Sequence, residues 1–316
     1  MKRLQILALL VASLAASLVQ AAPVEKCDII TIPKPSSTRD ATSQEIEDWK
    51  YYSRLCASSY CRAVIPLGTW ICAYCSELND LEIVKTFNTL VYDTNAMVAR
   101  GDEEKTIFVV FRGSNSYQNF VATIQTEDQV QKFISVSIDS KNVVCLMCDN
   151  MFFIYVGFLQ SYNEVKGSLV STVLDQLKKY PSYKVAVTGH SLGAATALLC
   201  ALDLYQRNAG ITADNLILNT LGQPRVGNAA FANYVAGLNL NYKRAIHQLD
   251  SVPHVPPLTF GYLHAGEEYW IRTDIPQSVK VCESALESSS CSVSMELAAL
   301  SITNHLSYFG FSYGIC

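Results

Sequence analysis

Ser191 stands in the sequence Gly189-His190-Ser191-Leu192-Gly193, directly after the apolar run 184–188 and before the helix-forming run 194–205. A serine at a tight strand-to-helix corner exposes its hydroxyl, and glycines two residues away on either side prevent a collision between strand and helix. The alternative is an ordinary helix entry with Ser191 as its cap. Because a β-like run precedes the corner and an apolar helix follows it, the sequence favours Ser191 as a nucleophile.

A serine hydroxyl becomes nucleophilic when a histidine takes its proton and a carboxylate orients that histidine. In α/β-hydrolases these residues follow the chain order serine, acid, histidine. Asp203 is excluded because it lies about 18 Å along the helix that starts at the serine. Asp250, which opens a proline-braced loop, is the predicted acid. His254 is too near Asp250 in that stiff loop to reach the serine as well, so His305 is the predicted base.

The charge that develops on an attacked carbonyl oxygen needs fixed hydrogen-bond donors. The backbone N–H of Leu192 is one predicted donor, and Ser114, in the turn after the apolar run 105–111, is the other. Ser114 could instead be an ordinary helix cap. His190 adjoins the nucleophile, and we expect its side chain to point away from the serine hydroxyl and to line the pocket.

A short amphipathic helix is predicted just beyond Ser114. Its apolar residues recur three and four positions apart, at Tyr117, Phe120, Val121 and Ile124. Such a face can belong to the core. At this position it could instead form a lid that covers the site in water and opens on lipid.

The whole chain has 316 residues, of which 50% are hydrophobic and 16% charged, with a net charge of −4. This composition supports one large core and gives no basic footprint for nucleic acid. β-like runs at 105–111, 184–188, 215–220 and 243–249 alternate with helical patterns at 168–179, 194–207 and 229–236. The alternation predicts an α/β fold with a mostly parallel sheet, whose strands carry Ser114, Ser191 and Asp250 to one edge.

The N-terminal residues 1–21 are predicted to be a secretory signal peptide, since a short basic start precedes a mostly apolar run. The alternative is a membrane anchor, but polar residues interrupt the run and no stop-transfer charges follow it. Residues 22–43 are predicted to be a flexible leader, and residues 44–316 a single domain. The expected protein is therefore extracellular and, as we interpret it, monomeric.

Eleven cysteines in a secreted chain imply disulfides and at least one free thiol. Cys200, inside an apolar helix, is a candidate for that buried thiol. The pairs Cys72-x-x-Cys75 and Cys145-x-x-Cys148 could hold zinc, but both lie in apolar segments. No metal or cofactor is therefore predicted.

The chain resembles the filamentous-fungal triacylglycerol lipases of the Rhizomucor and Rhizopus type, the class 3 lipases. The resemblance runs from about residue 41 to 316 and is dense at 92–101, 111–114, 189–193, 222–227, 250–257 and 305–310. It implies an α/β-hydrolase fold with a lid and the triad Ser191, Asp250 and His305. It also implies Ser114 and Leu192 as oxyanion residues, and an acyl-binding pocket lined by His190, Phe120, Val252, Val255 and Leu306.

The resemblance further implies the disulfides Cys61–Cys316, Cys72–Cys75 and Cys282–Cys291. It leaves Cys27, Cys56, Cys145, Cys148 and Cys200 unpaired.

Three features depart from the family pattern. Phe120 replaces a lid tryptophan, and Thr123 replaces an aspartate that supports the oxyanion residue. An apolar insertion occupies about 125–156, which is either an extra buried element or an error in the sequence. The predicted activity is hydrolysis of acylglycerol esters at a lipid–water interface. The alternatives are a feruloyl esterase or phospholipase on the same fold, and a catalytically impaired lipid-binding relative.

Overall fold

The fold is described from a computed structural model, in which residues 33–114, 152–207, 209–295 and 299–316 are described. The predicted signal peptide, the lid with Phe120 and Thr123, and most of the insertion lie outside these ranges. The same is true of Cys27, Cys145 and Cys148.

A nine-stranded sheet forms the centre of the described structure. With strands numbered in chain order, its members from one edge to the other are β1 (Thr38–Asp40), β11 (Gln277–Cys282), β10 (Glu267–Asp274), β8 (Asn241–His247), β6 (Leu216–Leu221), β5 (Lys184–His190), β4 (Thr106–Phe111), β3 (Asn95–Gly101) and β2 (Leu81–Asn88). Strands β4, β5, β6, β8 and β10 are parallel, and the outer strands are antiparallel. The carboxyl ends of the parallel strands therefore meet at one edge.

Both faces of the central strands are buried, which explains their continuous apolar sequence. In β4, Ile107 and Val109 belong to one hydrophobic cluster, whereas Phe108 and Val110 belong to the cluster on the opposite face.

Two short pairs complete the strands: β7 (Gly227–Asn228) with β9 (Tyr262–Leu263), and β12 (Ser307–Tyr308) with β13 (Phe311–Ser312). The predicted α/β architecture is confirmed.

Four α-helices are described on the two faces of the sheet: α1 (Ser43–Ser58), α2 (Val156–Lys179), α3 (Leu192–Gln206) and α4 (Ala229–Gly237). Helix α1 begins with a capping box in which Thr42 accepts from the Glu45 amide and Glu45 accepts from the Thr42 amide. Helix α1 contributes Trp49 and Leu55 to one cluster, and α2 and α3 contribute to the other. The sheet is thus covered on both sides.

The predicted leader is wrong at its inner end, and the helix after the insertion begins earlier than predicted. Residues 38–40, assigned to a flexible leader, form β1 and pair with β11. Helix α2, predicted to start at 168, begins at Val156. Ile154 and Tyr155, assigned to the insertion, are buried in the core, where the Tyr155 amide donates to the Val226 carbonyl. The end of the predicted insertion is therefore part of the core of the fold.

The three predicted disulfides are present, and Cys56 and Cys200 are buried free thiols. In the described segments, no helix has both the length and the apolar character needed to cross a bilayer.

Candidate active site

Ser191 lies at the junction of β5 and α3 with a strained backbone. Its φ of 60° and ψ of −130° are unusual for a residue with a side chain. The Ser191 amide donates to the Leu221 carbonyl at 3.0 Å, and its own carbonyl accepts from Ala194 at 2.9 Å. The strain is thus held in place by the adjacent strand and by the first turn of the helix.

Gly189 and Gly193 make this junction possible. A Cβ on Gly189 would come within 3.0 Å of the Gly193 backbone. A Cβ on Gly193 would come equally close to the carbonyl oxygens of Phe111 and Arg112, at the end of β4. The two glycines predicted from the sequence are therefore required by backbone atoms, which cannot move aside as a flexible side chain could.

His305 and Asp250 form a buried pair beside this corner. His305 Nδ1 lies 2.7 Å from Asp250 Oδ2, and neither side chain is exposed. Asp250 follows β8, while His305 lies in a 3-10 turn, Thr303–Leu306. Gly222 packs against the His305 ring, since a Cβ there would lie 2.8 Å from its Cε1. The pair leaves Nε2 of His305 facing away from the acid.

Asp250 is held by two further donors that fix its orientation. The Val252 amide donates to Oδ1 at 2.8 Å, and the Tyr308 hydroxyl donates to Oδ2, which also faces His305. Burial and the Asp250 charge raise the pKa of Tyr308 well above its ordinary value. Tyr308 therefore stays a neutral donor to the carboxylate. Sequence reasoning did not identify it, although it lies three residues after His305.

The loop after β4 packs against Ser191. A Cβ on Gly113 would lie 2.8 Å from the Ser191 Cβ, so Ser114 follows immediately at the edge of the site. The Gly113 amide donates to the Tyr60 hydroxyl at 3.1 Å, which fixes this turn. Leu192, the first residue of α3, has an amide for which the helix itself provides no acceptor. Leu192 adjoins Ser191 in the chain, and Ser114 follows the glycine that packs against it. Their role as oxyanion residues stays a prediction.

His190 was predicted to line the pocket, but its side chain is fully buried in the structure. Its ring is buried, with Nε2 at 2.9 Å from the His305 carbonyl and Nδ1 at 2.7 Å from the Tyr60 hydroxyl. It stacks on Tyr313 at 3.9 Å. Burial, followed by the nearby His305, holds the pKa of His190 well below its ordinary value. His190, the last residue of β5, therefore contacts the backbone of the segment that carries His305.

The comparisons with known proteins bear on this geometry. The family model described as Lipase (class 3) matches residues 108–260. A lipase from Rhizomucor miehei is 55% identical over 88% of this chain and 72% of its own length. The chain belongs to the class 3 lipase family. It therefore shares the α/β-hydrolase fold and the ester-hydrolase chemistry of that family.

Other known lipases are also similar to this class 3 lipase in structure or in sequence. A solved structure of Rhizomucor miehei triacylglyceride lipase has a TM-score of 0.80, with 89% of this chain and 100% of that chain covered. Lipase II from Rhizopus niveus has a TM-score of 0.79 at 39% identity, covering 88% and 99%. The secreted mono- and diacylglycerol lipase A of Penicillium camembertii is 30% identical over 76% of this chain and 75% of its own.

A further solved structure bears on the site. It has a TM-score of 0.80 and 55% identity, covers 89% of this chain and all of that one, and is described as a triacylglycerol lipase whose catalytic centre is a serine protease triad.

The remaining predicted pocket residues of the lipase differ in exposure. Leu306, next to His305, has 37% of its surface exposed, whereas Val252 and Val255 are buried. Val255 lies in the hydrophobic cluster on the α2 and α3 face of the sheet. Phe120 lies outside the described residues. The acyl-binding role of these side chains stays a prediction.

A buried ion pair braces the acid loop of the lipase, and sequence reasoning missed it. Arg225 forms a bidentate contact with Glu287, at 2.6 and 2.9 Å, and both are nearly fully buried. Arg225 Nη1 also donates to the carbonyls of His254 and Pro256. Burial alone would raise the pKa of Glu287, but the Arg225 guanidinium lowers it to about 2. The ion pair therefore fixes the loop that begins at Asp250.

Of the two cysteine pairs considered as zinc ligands, Cys72 and Cys75 lie in the described ranges. Within those ranges, no three His, Cys, Asp or Glu side chains cluster as a metal site. Cys72 and Cys75 are joined as a disulfide and so cannot act as thiolate ligands.

Proposed function

We propose that this chain is a triacylglycerol lipase in which Ser191 is the nucleophile, His305 the general base and Asp250 the orienting acid. The observation that carries the proposal is the buried His305–Asp250 hydrogen bond beside the strained Ser191 corner. The Rhizomucor miehei relative, named a triacylglyceride lipase, supports the substrate class.

The proposed reaction proceeds through an acyl-enzyme. Ser191 Oγ attacks the ester carbonyl while its proton passes to His305 Nε2, and the Nδ1–H of His305 donates to Asp250 throughout. The amide of Leu192, together with Ser114, stabilises the tetrahedral oxyanion. His305 then protonates the departing glycerol oxygen, which releases a diacylglycerol. A water molecule, deprotonated by His305, attacks the acyl-enzyme and releases the fatty acid.

The exposed apolar residues support action at a lipid surface. Leu90 and Val91, 95% and 80% exposed, lie in the β2–β3 loop at the edge of the sheet where β4 ends. Ile275, 93% exposed, lies between β10 and β11 at the same edge. Leu306 also borders the catalytic histidine. These side chains would meet a lipid surface together with the active site.

Secretion and a monomeric state belong to the same proposal. The disulfides fit an oxidising compartment. All residues assigned to the reaction come from one chain, so catalysis requires no second copy.

The proposal is tested by replacing Ser191 with alanine. We expect hydrolysis of emulsified triolein to fall by about four to six orders of magnitude, as for other serine hydrolases that lose their nucleophile. Ser168→Ala, on the exposed face of α2, is the matched control and should retain full activity. Near wild-type hydrolysis by Ser191→Ala would refute the proposal.

The substrate class is tested with the wild-type protein. We expect triolein to be hydrolysed faster than phosphatidylcholine or methyl ferulate. A higher rate on either of the latter would instead assign the fold to a phospholipase or a feruloyl esterase.

A further inference from the structure

A second histidine–carboxylate pair lies next to the catalytic segment. His247, the last residue of β8, has its Nε2 at 3.1 Å from both carboxylate oxygens of Asp274, the last residue of β10. The two strands are parallel neighbours, so their carboxyl ends place these side chains side by side. The His247 side chain is 5% exposed and that of Asp274 is 48% exposed.

The other ring nitrogen of His247 contacts the base-bearing segment. Its Nδ1 lies 2.8 Å from the carbonyl oxygen of Asn304, the residue before His305. The Asn304 side chain donates to Gln248 Oε1 at 2.9 Å, and Gln248 Nε2 donates to Asp274 at 2.8 Å. The four residues form a closed network around the start of the catalytic turn.

The two acceptors around His247 limit which hydrogen bonds its ring can form. A backbone carbonyl and an ionised carboxylate can only accept hydrogen bonds, whereas a neutral imidazole has a single N–H. Both contacts of His247 are therefore hydrogen bonds only when the ring is an imidazolium. His305 differs, because it must be neutral at Nε2 to take the serine proton.

The other groups that face His247 are compatible with a positive charge. Tyr308, on β12, lies with its ring 5.6 Å from that of His247, and its hydroxyl donates to the Asp250 carboxylate. Asp274 and Gln248 present oxygen atoms to the network from β10 and from the end of β8. The surroundings of His247 therefore carry acidic groups and neutral dipoles.

We propose that His247 is a positioning residue which, as an imidazolium, joins Asp274 to the Asn304 carbonyl and so holds the segment that carries His305. The inference rests on the proposed function, in which His305 is the base. When His247 loses its proton, one of the two hydrogen bonds is lost and the segment loosens. Turnover then falls at alkaline pH.

Asp274→Asn is the most informative variant. A carboxamide can donate to a neutral Nε2, so both contacts survive without a charge on His247. The assay uses p-nitrophenyl butyrate in solution. From pH 6 to pH 9, we expect the ratio of the wild-type kcat to the Asp274→Asn kcat to fall about twofold to fivefold, with KM unchanged in both proteins. Asp102→Asn is the matched control, because Asp102 pairs with Arg100, which does not titrate in this range.

His247→Asn provides the conservative comparison. Its side-chain amide can keep the bond to the Asn304 carbonyl but cannot titrate, so its pH profile should match that of Asp274→Asn. His247→Leu, which loses both bonds, should lower kcat by about tenfold at all pH values. A profile of Asp274→Asn that superimposes on wild type would overturn the proposal.

A direct readout separates this inference from the triad. Nitrogen-15 NMR of the histidine rings should show protons on both nitrogens of His247 at pH 6. If the triad assignment is wrong, this His247 signal should still be present, and it should be unchanged in Ser191→Ala. A single proton on His247 at pH 6 in the wild-type protein would overturn the proposed imidazolium.

Discussion

At the residue scale, the geometry around Ser191 depends on the absence of side chains at the two neighbouring glycines. Gly189 and Gly193 lie where any Cβ would meet backbone atoms of the elbow or of β4. The strain at Ser191 is therefore maintained by close backbone packing. The hydroxyl can then stand at the carboxyl edge of the sheet, where the acid and the base arrive from separate loops.

Replacing these glycines should distinguish packing from general helix propensity. We expect Gly193→Ala to destabilise the fold by about 2–3 kcal/mol, because a new methyl group would overlap the backbone of Phe111 and Arg112. Gly167→Ala is the control, since no atom lies within 4 Å of its added Cβ in α2. It should stabilise the protein by up to about 1 kcal/mol. Urea unfolding measures both, and equal effects would contradict the account.

At the element scale, the carboxyl ends of the parallel strands deliver the reactive groups. Strand β5 leads to Ser191, β8 leads to Asp250, and the turn after β4 carries Ser114. The base segment joins them through the bond of Ser301 N–H to the Leu249 carbonyl, at 2.7 Å. Arg225, from the loop after β6, fastens the far end of the acid loop.

The Arg225–Glu287 pair gives a prediction at this scale. Arg225→Met leaves the buried Glu287 carboxylate without its cationic partner and, among the described residues, with only the His264 amide as a hydrogen-bond donor, so we expect a loss of about 3–5 kcal/mol in unfolding free energy. The double variant Arg225→Met/Glu287→Leu removes the unpaired charge and should recover part of that loss. Denaturant titration of both variants checks this. A double variant less stable than the single one would show that the uncompensated charge is not the cause.

The inner part of the sheet could be predicted from the sequence because its strands are buried on both faces and read as apolar runs. Strand β10 was missed because it begins Glu267-Glu268. Glu268 is buried against Arg244, and a single sequence gives no sign of that pairing. Helix α1 was missed, although Thr42 and Glu45 have the spacing of a capping box.

For the site, chain order proposed Ser191, Asp250 and His305, and the structure places His305 against Asp250. The motifs around these residues are local. The contacts that hold it are not local. Tyr308 reaches Asp250 across 58 residues, and Tyr60 reaches Gly113 across 53. His190 was placed wrongly because its neighbours come from distant segments. Such pairs depend on the topology of the whole sheet.

At the scale of the whole molecule, several buried histidines make stability depend on pH. Burial, followed by the charge of Arg225, lowers the pKa of His254 from 6.5 to about 4. Burial holds the pKa of His264 and His190 well below the ordinary value as well. These rings are neutral in the folded protein, whereas the unfolded chain binds protons at pH below 6.5.

Stability should therefore be complete above pH 6.5 and fall as the pH drops towards 4. We expect His254 alone to contribute a loss of about 3 kcal/mol over this window, because the unfolded state binds the proton that the folded state excludes. His254→Asn should flatten the curve of unfolding free energy against pH by that amount. An unchanged slope in this variant would contradict the assignment.

In the proposed mechanism, Ser191, activated by His305 and Asp250, carries out the ester chemistry. Reaction of the purified protein with a fluorophosphonate, followed by peptide mass spectrometry, tests it most directly. We expect a single adduct on Ser191, formed much more slowly in His305→Ala. An adduct on another serine, or none on the folded wild-type protein, would contradict it.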